Sequence, residues 1–245
     1  MTTPLTRIRR WLAARFDRHA ALGLKLTIGV TLVAGATWLF SALLEEVLDK
    51  DVMVRWDTAA DAWIHARTTP AGDRLFEIVT LLGSPAVWAL AVIVAVALWR
   101  RRDRTMLITW SAALMGGEII QATLKATVRR QRPVFAATYL HGHTWSFPSG
   151  HSMGSVLCYA TLAWLLTTRW PRAAEHRAMA WSAAAMIIIA VATSRVYLGV
   201  HFISDVVGGV LAGTAWVAVC ITMARIALER HAPVVETTAP SPRGS

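Results

Sequence analysis

The stretch SFPSGHSMGS, residues 146–155, lies between an arginine-rich segment and a long apolar segment. Two serines, a glycine and a histidine lie within three residues of Pro148 in the sequence, at the point where a hydrophobic helix is predicted to begin. The first N–H groups of a helix lack intrahelical acceptors, and the positive end of the helix dipole favours an anion there. Gly150 lets the backbone approach such an anion closely. We therefore predict that Ser149 and Gly150 form an anion cradle at the mouth of a membrane helix.

The composition of the whole chain is that of a membrane protein. Of its 245 residues, 55% are hydrophobic and 16% are charged, whereas soluble domains carry about 25% charged residues. The apolar residues form runs that approach the roughly 20 residues needed to cross a bilayer core of about 30 Å. The sequence therefore predicts an all-α integral membrane bundle of six transmembrane helices. The predicted spans lie near residues 26–44, 78–99, 105–125, 150–168, 178–197 and 203–224.

The distribution of lysine and arginine predicts the orientation of this bundle. Sixteen of the 25 basic residues fall in the N-terminal segment 1–25, in the turns 100–104 and 169–177, and near the C-terminus. With six spans these segments share one side of the membrane, so both termini are predicted to be cytoplasmic. Basic tails lying against anionic lipid headgroups account for the net charge of +10 without a nucleic-acid partner. We assign the chain to a bacterial inner membrane.

Two further regions complete the predicted organisation of the chain. The outer loop 45–77 has apolar residues at helical spacing, including Trp56 and Trp63, which predicts a short helix at the headgroup level. Residues 231–245 are rich in Pro, Thr and Ser and are predicted to be a disordered tail. The membrane domain is therefore predicted to span residues 26–230. Within its sixth span, Gly209 and Gly213 have the small-residue spacing that lets helices pack closely.

Three polar clusters stand out against the apolar background. They lie in KATVRRQRP (residues 125–133), PSGH (148–151) and SRVYLGVHFISD (194–205). The predicted topology places all three at the outer (periplasmic) face. Lys125, Arg132 and Arg195 are three cations near a bilayer, which is costly without an anionic partner. Two of them are arginines, whose guanidinium group can bind two phosphate oxygens at once.

The third cluster also supplies a histidine next to an acid. His201 and Asp205 are four residues apart and share one face of a helix. The carboxylate can hold one imidazole nitrogen and leave the other as a nucleophile. His151 has a side chain suited to protonating a departing oxygen near neutral pH. These residue types together predict chemistry on a phosphoryl group.

The three clusters match a known tripartite signature at every defined position. It reads Lys, six residues, Arg-Pro; Pro-Ser-Gly-His; then Ser-Arg, five residues, His, three residues, Asp. The chain resembles the type 2 phosphatidic acid phosphatase family, which shares its core with vanadium haloperoxidases. The resemblance covers roughly residues 75–225 and leaves out the first 70 residues and the tail.

The resemblance implies a metal-independent phosphatase that uses no cofactor and forms a phosphohistidine on His201. Asp205 would orient that histidine, and His151 would protonate the leaving group. The phosphoryl oxygens would be bound by Lys125, Arg132, Ser149, Gly150 and Arg195, with a supporting contact from Ser194.

Other polar residues near the signature have more than one interpretation. Arg129 and Arg130 are candidates for phosphate binding or for anchoring to headgroups. His141 and His143 precede the cradle, but no Cys or acidic residue lies at metal-ligand spacing from them, so no metal site is predicted. Glu118 lies seven residues before Lys125, on the same helix face, and is predicted to pair inside the bundle and support the basic cluster.

The predicted function is hydrolysis of a lipid phosphate or diphosphate at the outer leaflet, with undecaprenyl diphosphate placed first. Phosphatidylglycerol phosphate, phosphatidic acid and diacylglycerol diphosphate are the other candidate substrates. Phosphoryl transfer to a second lipid, a haloperoxidase reaction with vanadate in the same cradle, and non-catalytic binding or transport of a lipid phosphate are the alternatives. Membrane lipids are the expected partners, and the sequence does not determine the oligomeric state.

Overall fold

A computed structural model describes residues 21–49, 52–139, 144–169 and 174–230. All secondary-structure elements in these ranges are helices, and no strand is found there. The nine α-helices are α1 (Ala21–Asp49), α2 (Val52–His65), α3 (Pro70–Thr80), α4 (Pro85–Arg100), α5 (Arg104–Val128), α6 (Gly150–Ser155), α7 (Thr161–Arg169), α8 (Ala174–Tyr197) and α9 (Ile203–Arg230). Most of the N-terminal segment, the tail 231–245, and His141 and His143 lie outside the described residues.

Four helical stretches are long and apolar enough to cross a membrane, by length and composition. They are Leu26–Asp49, Pro70–Arg100, Ala174–Tyr197 and Ile203–Arg230. The predicted spans 105–125 and 150–168 also fall on helices, α5 and the continuous helical stretch 150–169. These two helices carry polar residues of the signature, which lowers their hydropathy. The all-α prediction is confirmed, while the six-span topology stays a prediction.

The stretch 150–169 lies in the centre of the bundle. α6 continues through a π-helical turn, Val156–Ala160, into α7. Its middle residues are almost all buried, and α8 and α9 pack against it. On α9, a Cβ added to Gly209 would lie 2.6 Å from the Ser149 carbonyl oxygen, and one added to Gly213 would lie 3.0 Å from Val156. The two glycines therefore bring α9 into close contact with this central helix.

The outer segment 45–77 is more helical than the sequence predicted. α2 covers the predicted headgroup-level helix, but a second helix, α3, begins at Pro70 and leads into the apolar stretch eight residues before the predicted boundary at 78. Thr69 caps α3 by accepting a hydrogen bond from the Gly72 N–H, and Pro70 occupies its first turn. The chain then passes through a 3-10 turn, Leu81–Gly83, into α4.

The connection between α5 and α6 positions the basic cluster. Arg129 ends α5 in the left-handed conformation with φ 50°. This reversal directs the following residues, including Arg130 and Arg132, back towards the start of α9. The loop is held by a hydrogen bond of 2.8 Å from the Ser146 N–H to the Arg130 carbonyl.

Candidate active site

The predicted nucleophile lies in a buried pocket of polar groups at the turn between α8 and α9. His201 is 2% exposed, and Asp205, in the first turn of α9, is fully buried. His201 Nδ1 lies 3.5 Å from Asp205 Oδ2 and 3.4 Å from Ser146 Oγ. The structure therefore brings together the histidine and the acid that the spacing in the sequence predicted.

The other ring nitrogen of His201 faces a cation. Arg132 Nη1 lies 3.0 Å from His201 Nε2 and also donates to the Val200 carbonyl at 2.7 Å. Since a guanidinium has no acceptor, Nε2 must accept this hydrogen bond and the ring proton must reside on Nδ1. This tautomer leaves the lone pair on Nε2, as the predicted role of His201 as a nucleophile requires.

Burial keeps His201 neutral. Loss of hydration lowers the pKa of His201 to about 4; Arg132 and Arg195 contribute in the same direction and Asp205 opposes them. Burial also lowers the pKa of Arg132, which Asp205 counteracts. The imidazole is therefore unprotonated at neutral pH.

Asp205 is held by three donors besides His201. The Phe202 N–H donates to Oδ2 at 2.9 Å, the Ser146 hydroxyl donates to the same oxygen, and Arg130 Nη1 donates to Oδ1 at 2.7 Å. These contacts fix the plane of the carboxylate and neutralise its charge. Ser146 was not predicted as a site residue, although it is the first residue of the stretch SFPSGHSMGS.

Arg130 joins Asp205 to a second buried acid, Asp57 of α2. Its Nη2 donates to Asp57 Oδ2 at 2.7 Å, and its Nη1 also reaches Ser204 Oγ at 2.6 Å. Asp57 accepts in turn from the Ser204 N–H at 3.1 Å and from the Ser204 hydroxyl. A carboxylate from α2 thus caps the start of α9. Arg130 was predicted either to bind phosphate or to anchor to headgroups. In the structure its guanidinium instead pairs with Asp57 and Asp205.

The predicted phosphate-binding cations lie close to one another and to His151. Arg195 is 5% exposed, its Nη1 donates to Thr80 Oγ1 at 2.6 Å, and its Nε is buried without a hydrogen-bond partner among the described residues. A buried unpaired guanidinium nitrogen is costly and is suited to an anionic ligand. Lys125 lies within electrostatic range of Arg132, Asp205, Arg195 and Glu118. Glu118 is half-buried and interacts electrostatically with Lys125, while its predicted pairing and support of the basic cluster stay a prediction.

His151 begins the central helix and faces this cluster. It lies within electrostatic range of Arg195, His201, Lys125 and Arg132. Gly83 packs directly on it, because a Cβ at that position would lie 3.1 Å from the His151 Cβ and 2.6 Å from Val191. The break between α3 and α4 thus leaves room for the proposed proton donor.

Two predicted ligands make protein contacts that the sequence did not indicate. The Ser149 N–H donates to the Asp205 carbonyl at 2.9 Å, and its hydroxyl accepts from Ser152 Oγ at 3.0 Å. The Ser194 hydroxyl donates to the Val191 carbonyl at 2.6 Å within α8. Gly150 packs against the side-chain amide of Gln121. Ser149 and Ser194 thus help to build the pocket: the Ser149 N–H and the Ser194 hydroxyl donate to backbone carbonyls, while the Ser149 hydroxyl accepts from Ser152.

Within the described ranges, no group of three or more His, Cys, Asp or Glu side chains is placed to hold a metal ion. The cluster instead consists of cations, serines and the histidine–aspartate pair. Such a set binds phosphoryl oxygens through hydrogen bonds and charge.

A buried acid beside this site gives a stability prediction. Asp61 of α2 is 6% exposed, and its Oδ1 has no hydrogen-bond partner in the part of the chain that the structure describes. Burial, with a smaller contribution from Asp57, raises the pKa of Asp61 to about 6, against an opposing effect of His65. A carboxyl with a folded pKa above its unfolded value stabilises the fold at low pH, and this contribution is lost as pH rises through 6.

We therefore expect Asp61→Asn to stabilise the protein at pH 8, by on the order of 2 kcal/mol, and to give no gain at pH 4. Thermal unfolding in detergent at both pH values measures this, with Asp49→Asn, at an exposed position, as the control. A gain of equal size at both pH values would contradict the assignment.

An all-helical bundle that gathers three cations and an acid-paired histidine at one end of membrane-length helices defines a class of membrane phosphoryl-transfer proteins. The chain belongs to the PAP2 superfamily, whose family profile matches residues 106–229. This confirms the resemblance inferred from the three clusters.

Comparison with individual proteins supports the same placement. The chain is 40% identical over 106 residues to phosphatidylglycerophosphatase B of Bacillus subtilis (strain 168), a match that covers 41% of this chain and about half (52%) of that protein. It is 29% identical over 159 residues to YbjG of Escherichia coli (strain K12), named as a proposed undecaprenyl-diphosphatase, with coverage of 57% and 75%. It is 35% identical over 127 residues to decaprenylphosphoryl-5-phosphoribose phosphatase of Mycobacterium tuberculosis (strain ATCC 25618 / H37Rv), with coverage of 51% and 63%.

The fold is also similar to a solved structure. The crystal structure of the first transmembrane PAP2 type phosphatidylglycerolphosphate phosphatase from Bacillus subtilis superimposes with a TM-score of 0.70 at 26% identity, covering 83% of this chain and 99% of that chain. The chain is therefore a multi-pass membrane protein with the PAP2 membrane fold.

Proposed function

We propose that this protein hydrolyses a terminal phosphate from a membrane lipid through a phosphohistidine on His201. The observation that carries the proposal is the buried neutral imidazole, with Nε2 directed at Arg132 and Nδ1 facing Asp205. A non-catalytic phosphate binder needs the cations but has no need of an acid-oriented histidine among them.

The first step transfers the phosphoryl group to the protein. His201 Nε2 attacks phosphorus, a P–N bond forms, and the P–O bond to the lipid breaks with its electron pair going to the lipid oxygen. His151 gives that oxygen its proton. Asp205 stabilises the positive charge that develops on the His201 ring.

The cations act mainly on the transition state. Arg132, Arg195 and Lys125 bind the equatorial oxygens of the phosphoryl group, where negative charge is spread in an in-line displacement. Arg132 leaves His201 Nε2 and donates to a phosphoryl oxygen instead. The unpaired Nε of Arg195 supplies a second donor.

The second step releases phosphate. A water molecule attacks phosphorus, His151 accepts a proton from it, and the P–N bond breaks with its electron pair returning to His201 Nε2. The site is then in its starting state, with no metal ion or other cofactor taking part.

We place the site at the outer face of the membrane. The basic turn 100–104 begins α5, and Lys125 lies at the other end of that helix. Asp103 in this turn pairs with Arg169 at the end of α7 at 2.6 Å, so the end of the bundle that carries Arg100–Arg104 and Arg169 lies opposite the histidines. The positive-inside rule puts that basic end in the cytoplasm.

The substrate class follows from the site and from the names of the relatives. Those names refer to phosphatidylglycerophosphate, undecaprenyl diphosphate and a decaprenylphosphoryl ribose phosphate, which share a phosphoryl group on a long-chain lipid. The two matches to Bacillus subtilis proteins lead us to place phosphatidylglycerol phosphate beside undecaprenyl diphosphate as the first substrates to test.

The proposal predicts phosphate release from purified protein on a panel of lipid phosphates in the presence of EDTA. Phosphate should appear at the same rate with and without the chelator, because the residues that act are cations and histidines. Loss of activity in EDTA that added divalent metal restores would contradict the metal-independent mechanism. Phosphate appearing on an added acceptor lipid in place of free phosphate would identify phosphotransfer.

A further inference from the structure

Two cavities lie along the same pair of helices, α1 and α5. The inner cavity has a volume of about 260 Å³ and is lined on these helices by Val33, Thr37, Phe40, Ile120 and Leu124. Its remaining wall is formed by α9, at Ala212, Ala215, Trp216 and Val219. The outer cavity, of about 380 Å³, is lined by Val47, Leu48, Val54, Phe202 and the segment Val128–Arg132.

Helical spacing shows that both cavities open on one seam. On α1 the lining positions 33, 37, 40, 47 and 48 are separated by four, three, seven and one residues, so they share one face. On α5 the positions 120, 124 and 128 follow each other at intervals of four. We call the groove between these two faces the α1–α5 seam.

The two ends of the seam differ in chemistry. The inner cavity is lined by apolar side chains and a single threonine, which suits a hydrocarbon. The outer cavity combines apolar residues with Arg129, Arg130 and Arg132. A hydrocarbon chain with an anionic end matches this gradient from apolar to basic.

The seam is continuous with the candidate active site. Arg132, which lines the outer cavity, places Nη1 3.0 Å from His201 Nε2. Phe202, another lining residue, is the next residue in the chain. An anionic group that enters the outer cavity therefore meets the guanidinium of Arg132, which is hydrogen-bonded to His201 Nε2.

The length of the seam is also that of a lipid chain. Positions 33 and 48 of α1 are separated by about 22 Å along the helix axis at 1.5 Å per residue, most of the roughly 30 Å thickness of a bilayer core. The seam thus extends from the site into the hydrocarbon region.

We propose that the α1–α5 seam holds the hydrocarbon chain of the lipid phosphate while its headgroup reaches Arg132 and His201. This inference rests on the proposed function and adds to it a binding site for the chain. The seam then makes the protein selective for long-chain substrates over short-chain ones with the same headgroup.

Seam-filling substitutions test this on two chain lengths. Thr37→Trp and Leu124→Trp should raise the KM for dioleoyl phosphatidic acid about tenfold, the effect of losing a few buried methylene groups, and leave the KM for dihexanoyl phosphatidic acid within about twofold. Ala42→Trp and Ile119→Trp, at exposed positions of the same helices that do not line the seam, should leave both unchanged. Equal effects on the two chain lengths, or none, would overturn the proposal.

A binding measurement separates this inference from the proposed chemistry. A bimane label on Thr37→Cys, with native Cys158 and Cys220 both buried, should be quenched by phosphatidic acid with brominated chains. Orthovanadate should reverse the quenching by occupying the headgroup site. Equal quenching by brominated phosphatidylcholine would show that ordinary bilayer lipid fills the seam and would overturn the inference. If no lipid phosphate is hydrolysed but vanadate-sensitive quenching is seen, the proposed hydrolysis fails and the chain site stands.

Discussion

His201→Gln abolishes phosphate release: we expect kcat/KM to fall by about 10⁴-fold or more, as for loss of a nucleophile in other hydrolases. Glutamine retains a polar side chain of similar size but has no basic nitrogen to attack phosphorus. The cations remain, so the variant should still bind orthovanadate. Phosphate release from a lipid phosphate in detergent micelles, together with vanadate binding, measures both properties.

The matched control is His176→Gln, at an exposed position in the first turn of α8. It should retain wild-type activity. A labelled, acid-labile protein phosphate should form in the wild type during turnover and be missing from His201→Gln. Turnover by His201→Gln above one per cent of wild type would exclude a phosphohistidine at this position.

Arg130→Met has the second largest expected effect. It leaves the buried carboxylates of Asp57 and Asp205 without the cation that joins them, and removing one partner of a buried ion pair costs about 3–5 kcal/mol. Asp205 also loses a donor that fixes its orientation towards His201. We expect a large fall in thermal stability and a fall in kcat/KM of about a hundredfold or more.

Arg129→Met is the control for this change, since Arg129 is exposed and its Nε donates to the Ala126 carbonyl of α5. Stability should remain near wild type, and kcat at saturating substrate should fall far less than in Arg130→Met. Adding Asp57→Asn to Arg130→Met should restore part of the lost stability, because one uncompensated buried charge is removed. If Arg129→Met and Arg130→Met behave alike, the contacts of Arg130 with the two acids have no functional role.

The difference between these two arginines shows where sequence reasoning ends. Both were assigned the same pair of interpretations, because they are adjacent and identical. In the structure, the left-handed backbone of Arg129 turns the chain at that residue, so Arg130 points inward and Arg129 stays at the surface. The spacing of residues along the sequence does not reveal that the backbone changes direction at a single residue.

Asp57 and Thr80 were missed for a related reason. The partner of Asp57, Ser204, is 147 residues away in the sequence, and Thr80 and its partner Arg195 are 115 residues apart. Within the acidic outer loop, Asp57 had no feature that distinguished it from a solvated carboxylate. The signature residues were predictable because each cluster is local and carries its own spacing.

The fold, like the site, was predicted in part. All six segments predicted from hydropathy fall on helices. Local composition is sufficient for this prediction, because the free energy of transfer to lipid depends on the residues of the segment itself. Hydropathy did not predict α3, whose exposed positions include charged residues, or the π-helical turn in the central stretch, against which α8 and α9 pack.

The contact between Arg132 and His201 has a consequence for the surrounding bilayer. The Arg132 guanidinium occupies the Nε2 lone pair of His201, so the proposed attack requires a competitor for this guanidinium. A phosphomonoester or diphosphate with two or more negative charges is a strong competitor, whereas the phosphodiester of an ordinary phospholipid has a single charge shared by two oxygens. In the proposed mechanism, this contact protects the bulk phospholipids, which vastly outnumber the substrate, from attack by His201.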